Sequence, residues 1–453
     1  MIDVITLPTT DLGDRSYLVV AGGTALVVDP QRDIDRVLAA AKPLGVVIRH
    51  VLETHIHNDY VSGGLDLARE TGAEYVVNRD DPVAFDRTPV GDGDRFASGD
   101  LTVSVIHTPG HTPTHLSYAI ETPDGARPAV FTGGSLLFGS VGRPDLLGPE
   151  FTDDLARAQF RSARRLAELP ATTEVFPTHG FGSFCSSGDI SEADAATIGD
   201  ELVGNIAFRI GDEGDFVRHV LGDLTPYPRY YAHMGTANLA GPAPIDLIPP
   251  RGIDVDEIRH RVDAGEWVVD VRPRRSFAMA HTKGTIGMEG GDSFLTYLGW
   301  LIPWGTPVTL LADTPQQIAD AQRSLSRIGI DRPAAAASGG TPTWGDGDPA
   351  SYPVVDFPEV RNVFGTDGTA VLDVRRTDEW REGHIGGSIN LPIQNLSDRL
   401  GDLSEATFYV HCETGYRASV ACSFLDRAGI SAVLVDDEFA NAARVGLPIT
   451  TGT

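Results

Sequence analysis

The chain has 453 residues, 41% of them hydrophobic, and a formal net charge of −27. That length suits two to four domains with ordinary cores, and the acidity argues against nucleic acid or an anionic membrane surface as a partner. No stretch approaches the ~18 uninterrupted apolar residues of a membrane span. The first elements read as a hairpin: Ser16 to Val20, a turn at Gly22 and Gly23, then Thr24 to Val28. A helix from Ile34 to Ala41 is predicted next, then a strand through Val46, Val47, Ile48 and Val51 to Leu52. Leu65 to Glu70 reads as a helix, and Glu74 to Val77 and Leu101 to Ile106 as strands. Ala129 to Thr132 is a further strand, and 151–169 a long amphipathic helix with Thr152 at its N-cap. Strands and helices mixed in this way predict an α/β layered domain over residues 1–240.

The strand ending at Leu52 runs into Thr54, His55, Ile56, His57, Asn58, Asp59 and Tyr60. Two histidines two apart, with an aspartate two further on, form a compact set of metal ligands in a loop beyond a buried strand. Imidazole and carboxylate at that spacing suit zinc or ferrous iron better than calcium or magnesium. A further histidine follows the strand at 101–106, in Thr108-Pro-Gly-His111. His107 and His115 read as structural or surface residues. Cys185 lies in a glycine-rich stretch after His179, where a role in holding sulfur and a role in packing are both open. Arg143, before Pro144 and Asp145, is a candidate to pair a substrate carboxylate, with a structural ion pair as the alternative.

Proline-rich linkers stand at 241–251 and at about 339–353. Around them the chain repeats itself. Glu266 to Arg272 aligns with the run ending in Asp373, Val374 and Arg375, and His281 to Ile286 aligns with His384 to Ile389, both at an offset of 103 residues. One shared offset predicts a duplicated domain of roughly 100 residues, placed at 251–345 and 355–453.

In the second copy a strand from Thr407 to Val410 leads into His411, Cys412, Glu413, Thr414, Gly415, Tyr416 and Arg417, with a helix from Ala418 to Leu425 behind. A cysteine between a strand end and a helix N-terminus meets clustered backbone N–H groups and the positive end of the helix dipole. With Arg417 nearby, that cradle favours a thiolate, a persulfide anion or an oxyanion. Cys422, inside the helix, reads as core. In the first copy Ala312 stands where the cysteine would be. Three cysteines and no basic or apolar leader after Met1 are the pattern of a reducing cytoplasm.

Asp373-Val-Arg375, His384 to Ile389 and the Cys412 to Arg417 loop resemble the rhodanese family. The resemblance implies that Cys412 accepts sulfane sulfur with Arg417 beside it, and that Glu413, Thr414, Gly415, Tyr416 and Arg375 bind substrate. It also implies an inactive first copy that serves as spacer or docking element. The first 240 residues resemble the metallo-β-lactamase superfamily, through the Thr54 to Asp59 run, Thr108 to His111, Phe131-Thr-Gly133 and Pro177 to Gly180. That implies an αββα sandwich with His55, His57 and His111 on one metal. Tyr60 replaces the histidine of two-metal members, so one metal at most is expected. Gly134 stands where members usually carry a ligating aspartate, which leaves His57 or Asp59 as substitutes, or a weak site, or none.

The order of domains looks like that of persulfide dioxygenase–sulfurtransferase fusions. Its implication is iron-dependent oxidation of a low-molecular-weight persulfide, coupled to sulfur transfer among persulfide, sulfite and thiosulfate, with a small thiol as carrier. A zinc-dependent thioester hydrolase with an attached rhodanese is one alternative. A sulfur-relay protein with a degenerate metal domain is another. Self-association is common in the superfamily, so a homo-oligomer is one option.

Overall fold

The computed structural model describes residues 2–121, 128–188, 193–341, 344, 349–403 and 405–452. The described chain divides into two compact units: Met1–Asp246 with Leu325–Gly329, and Leu247–Ser324 with Ile330–Thr453.

The first unit holds two six-stranded sheets. One runs in the order Asp3–Thr9, Asp14–Ala21, Thr24–Val28, Val47–Leu52, Glu74–Asn78, Thr88–Val90. The other runs Ala196–Thr197, Glu174–Pro177, Ala129–Gly133, Leu116–Glu121, Leu101–His107, Arg95–Ser98. The hairpin expected at 16–28 is present, with Leu18 opposite Val27. Alternation along these strands sends side chains to two cores. Tyr17, Val19, Leu26 and Val28 pack between the sheets with Val103, Tyr118 and Phe131. Leu18 and Val27 face the helices, beside Val37, Leu65 and Leu67. A third core sets Phe160 and Phe216, on helices, against Val130 and Val175 of the second sheet. Helix, sheet, sheet, helix is the layered α/β sandwich that the sequence predicts.

The long helix is Pro149–Leu166, not 151–169, and its N-cap is Gly148. Proline at the first helical position needs no N–H partner there. Thr152 therefore falls in the first turn, and its hydroxyl donates to the Gly148 carbonyl at 2.9 Å. Leu169 lies in the turn that follows.

The second unit carries two parallel sheets of matching order. The first is Ile286–Gly287, Trp267–Asp270, Val308–Ala312, Ala335–Ser338. The second is Ile389–Asn390, Thr369–Asp373, Thr407–His411, Ala432–Val435, Val354–Val355. Asp270 pairs with Leu311 and Asp373 with His411, so register places Ala312 where Cys412 stands. Part of the second proline-rich stretch, 342–343 and 345–348, lies outside the described residues.

Candidate metal centre and thiol loop

Strand ends of both sheets of the first unit converge on one edge. Val47–Leu52 delivers His55 and His57, Leu101–His107 delivers His111, Ala129–Gly133 delivers Gly134, and Glu174–Pro177 delivers His179. Thr24–Val28 ends at Asp29, and Asp14 opens its own strand at the same edge.

The geometry groups His55 and His111 with His179, whose ligand atoms lie within 4.8 Å of one another. His57, expected in that set, falls in two other groups, with Asp59 and His179 and with Asp29 and Glu53. Each of the three grouped histidines has its Nδ1 engaged. His55 Nδ1 is 2.9 Å from Thr54 Oγ1, which itself donates to Asp29. His111 Nδ1 is 2.8 Å from the Arg143 carbonyl, and His179 Nδ1 is 2.8 Å from Asp14. Partners of this kind fix the tautomer and leave Nε2 as the lone pair. His55 Nε2 and His179 Nε2 are 3.4 Å apart, and His111 Nε2 is buried without a hydrogen-bond partner. Three imidazole nitrogens facing one point, one of them orphaned, fit a transition-metal ion such as zinc or iron.

Burial, then neighbouring histidines, holds His55 well below its ordinary value and takes His111 down to about 3. A lowered value favours the neutral imidazole, the form that metal coordination requires. Burial alone would lower His179 too, but Asp59 and Asp14 outweigh it and hold it well above. His57 turns its Nε2 to Tyr60 Oη at 2.9 Å and to Asp29 and Glu53 at 3.3 Å. Against the cost of burial those carboxylates raise it to about 9. Its Nδ1 faces an oxygen of Asp59 at 4.0 Å, and neither atom has a hydrogen-bond partner.

Gly134 has a packing reason. A Cβ there would overlap the His111 ring, and one at Gly142 would overlap the Gly134 carbonyl. The two glycines make room for His111 to reach the Arg143 carbonyl, so an aspartate at 134 is not accommodated beside His111 as it stands. His115, buried next to the site, accepts the Gly134 N–H at 3.0 Å; His107 is partly exposed, with its ring on the Pro113 carbonyl.

Cys185 is fully buried, and burial followed by Asp59 pushes its thiol well up. Arg143 is 1% exposed, paired with Asp145 at 2.7 Å and donating to the carbonyls of Phe184 and Thr225. Its geometry is that of a structural ion pair. Asp14, Asp29, Glu53 and the grouping of His179 with His55 and His111 were not singled out from the sequence. Asp29 has a signal of its own: a buried non-glycine residue at φ 49°, where backbone strain often marks function.

In the second unit Cys412 is 1% exposed, and the Gly415 N–H lies 3.2 Å from its Sγ. The helix is Tyr416–Arg427, two residues longer at each end than expected, so Arg417 is in its first turn. Gly415 precedes it at φ 92°. Arg417 is gripped at 2.6 and 2.7 Å by Glu379, so an incoming anion shares this guanidinium with a carboxylate. Arg375 binds Asp373, donates to the Gly383 carbonyl at 2.7 Å and lies 3.4 Å from Glu413.

The Metallo-beta-lactamase superfamily profile matches residues 10–179, and the Rhodanese-like domain profile matches residues 357–441. A probable metallo-hydrolase of Burkholderia pseudomallei strain 1710b is 31% identical over 210 residues, 40% of this chain and 68% of that one. The chain belongs to the metallo-β-lactamase superfamily. A hydroxyacylglutathione hydrolase of Rhodospirillum rubrum is 36% identical over 164 residues, 36% of this chain and 59% of the relative. This superfamily member thus spans about three fifths to two thirds of those relatives. A solved metallo-beta-lactamase from Staphylococcus aureus subsp. aureus COL aligns over 75% of this chain and 99% of its own, with 25% identity and a TM-score of 0.67. Among the described residues no helix is long and apolar enough to cross a membrane.

Proposed function

We propose that the protein is a two-site enzyme of small sulfur compounds, with metal-dependent persulfide oxidation in the first unit and sulfane-sulfur transfer at Cys412 in the second. The observation that carries it is one chain holding both a three-histidine cluster with an orphaned Nε2 and a buried cysteine whose Sγ meets the Gly415 N–H. His55, His111 and His179 would hold the metal, with His57 Nδ1 and Asp59 as nearby further donors. A bound iron supplies redox chemistry toward O2, and a bound zinc supplies Lewis acidity. Asp14, Thr54 and the Arg143 carbonyl orient the three rings, while Tyr60, Asp29 and Glu53 hold His57.

At the second site the Cys412 thiolate attacks the outer sulfur of thiosulfate. A new S–S bond forms, the old one breaks, and sulfite departs with the electron pair. The persulfide left on Cys412 carries the negative charge that the Gly415 N–H and the helix N-terminus stabilise. A thiol-class acceptor then takes its terminal sulfur.

A thioester hydrolase in the first unit is the second reading, favoured by the hydroxyacylglutathione hydrolase relatives. Metal content, O2 uptake with glutathione persulfide and hydrolysis of a glutathione thioester separate the two. Near-stoichiometric iron with O2 uptake, both lost in the His55→Ala/His111→Ala variant, is the expected result. Zinc with hydrolysis instead supports the second reading. Absence of metal from the unaltered protein, with transfer intact, overturns both and leaves a sulfur relay. Gly134→Asp is expected to lower metal content about tenfold or more rather than restore a ligand, because its side chain displaces His111.

A further inference from the structure

The thiol loop is bounded on one side by the repeat that has no thiol. Arg274 and Arg275 of that repeat both pair with Asp436, through Arg274 Nε at 2.7 Å and through Arg275 Nε. Arg274 also binds Glu289 at 2.7 Å and reaches the Thr414 carbonyl at 3.4 Å. The Tyr416 hydroxyl donates to the Glu289 carbonyl at 3.1 Å.

Asp436 occupies a telling place. Its carboxylate lies in the space a side chain at residue 415 would fill, and Gly415 is the residue whose N–H meets Cys412 Sγ. The Asp436 side chain is 5% exposed, so solvent screens it little. A lone carboxylate against Gly415 would oppose a thiolate or persulfide anion that the Gly415 N–H meets. The cations of the thiol's own repeat are shared: Arg417, which interacts with Cys412, also pairs with Glu379, and Arg375 pairs with Asp373 with Glu413 beyond. His411 is buried and held below its ordinary value, by burial first, so it adds no charge. From the silent repeat the neutral phenol of Tyr297 packs on Tyr416 with ring centroids 5.6 Å apart.

We infer that the cysteine-less repeat is the electrostatic partner of the thiol loop, with Arg274 and Arg275 as positioning residues that neutralise Asp436 and so permit an anion on Cys412. This deepens the reading of Cys412 as a sulfur acceptor and rests on it. It gives the silent copy a task that needs no thiol of its own.

The test titrates the Cys412 thiolate by its ultraviolet absorbance in the full chain, with the Cys412→Ser protein subtracted. Transfer from thiosulfate to cyanide is measured alongside. Arg274→Ala/Arg275→Ala is expected to move the thiolate midpoint up by about one pH unit and to lower kcat/KM about tenfold. Adding Asp436→Asn to that variant is expected to return the midpoint. An unmoved midpoint, or one that Asp436→Asn does not return, overturns the inference. Should the double-arginine variant not fold, Asp436→Asn alone decides: its midpoint is expected to stay or fall, and a rise overturns the inference. A midpoint that behaves as expected in a protein without sulfur transfer refutes the function and leaves the charge compensation standing.

Discussion

The two repeats of the second unit share a skeleton and differ in chemistry. In each, an aspartate at a strand end grips an arginine two residues on: Asp270 with Arg272 at 2.6 Å, Asp373 with Arg375 at 2.7 Å. In each, that arginine donates to a loop carbonyl, Ala280 or Gly383, and faces an aromatic ring, Trp344 or Phe439. In each, a histidine stacks on the aromatic residue four before it, His281 on Phe277 and His384 on Trp380, with Nδ1 at that residue's carbonyl. Only one repeat has the cysteine. Since the Asp–Arg–His skeleton persists beside Ala312, its first role is to hold the sheet edge, and Arg375 belongs to it as much as to any substrate.

The sharpest way to separate skeleton from chemistry is Cys412→Ser. Sulfur transfer is expected to fall by at least about a thousandfold, with metal content unchanged by elemental mass spectrometry. Equal loss of both would break the claim of two separable sites. Next in size, Asp373→Asn and Asp270→Asn each weaken the hold on a buried arginine. Each is expected to destabilise its repeat by as much as about 3–5 kcal/mol in denaturant titration; a large cost in one and none in the other would show that the skeletons are not equivalent. Trp380→Phe installs the ring of the first repeat in the second, so about 1 kcal/mol is expected. The smallest effect is expected of Ala312→Cys. It supplies a thiol at the right register but no arginine like Arg417, and transfer by an Ala312→Cys/Cys412→Ser protein should stay at the background of Cys412→Ser alone.

Much of this was legible in the sequence. A shared offset of 103 residues exposed the duplication, and strand register then placed Ala312 against Cys412. Two strand runs around Gly22 and Gly23 gave the hairpin, mixed strands and helices gave the α/β layers, and the family resemblance gave the αββα order. The metal centre was read only in part. Spacing brings His55 and His57 into one loop, but it does not say which ring nitrogen faces which neighbour. That depends on Asp14, 165 residues from His179, and on Asp29 and Glu53 claiming His57 Nε2. Gly134 read as a missing ligand because a glycine in a sequence shows what it lacks and not what packs against it. The two arginines on Asp436 left no trace, since no motif links positions 274 and 436.

The most direct measurement is mass spectrometry of the unaltered protein after exposure to thiosulfate, with the sulfur located by peptide mapping. One added sulfur atom on Cys412, removed by cyanide, is the expected result. An unmodified Cys412, or sulfur found on Cys185 or Cys422 instead, would contradict the account.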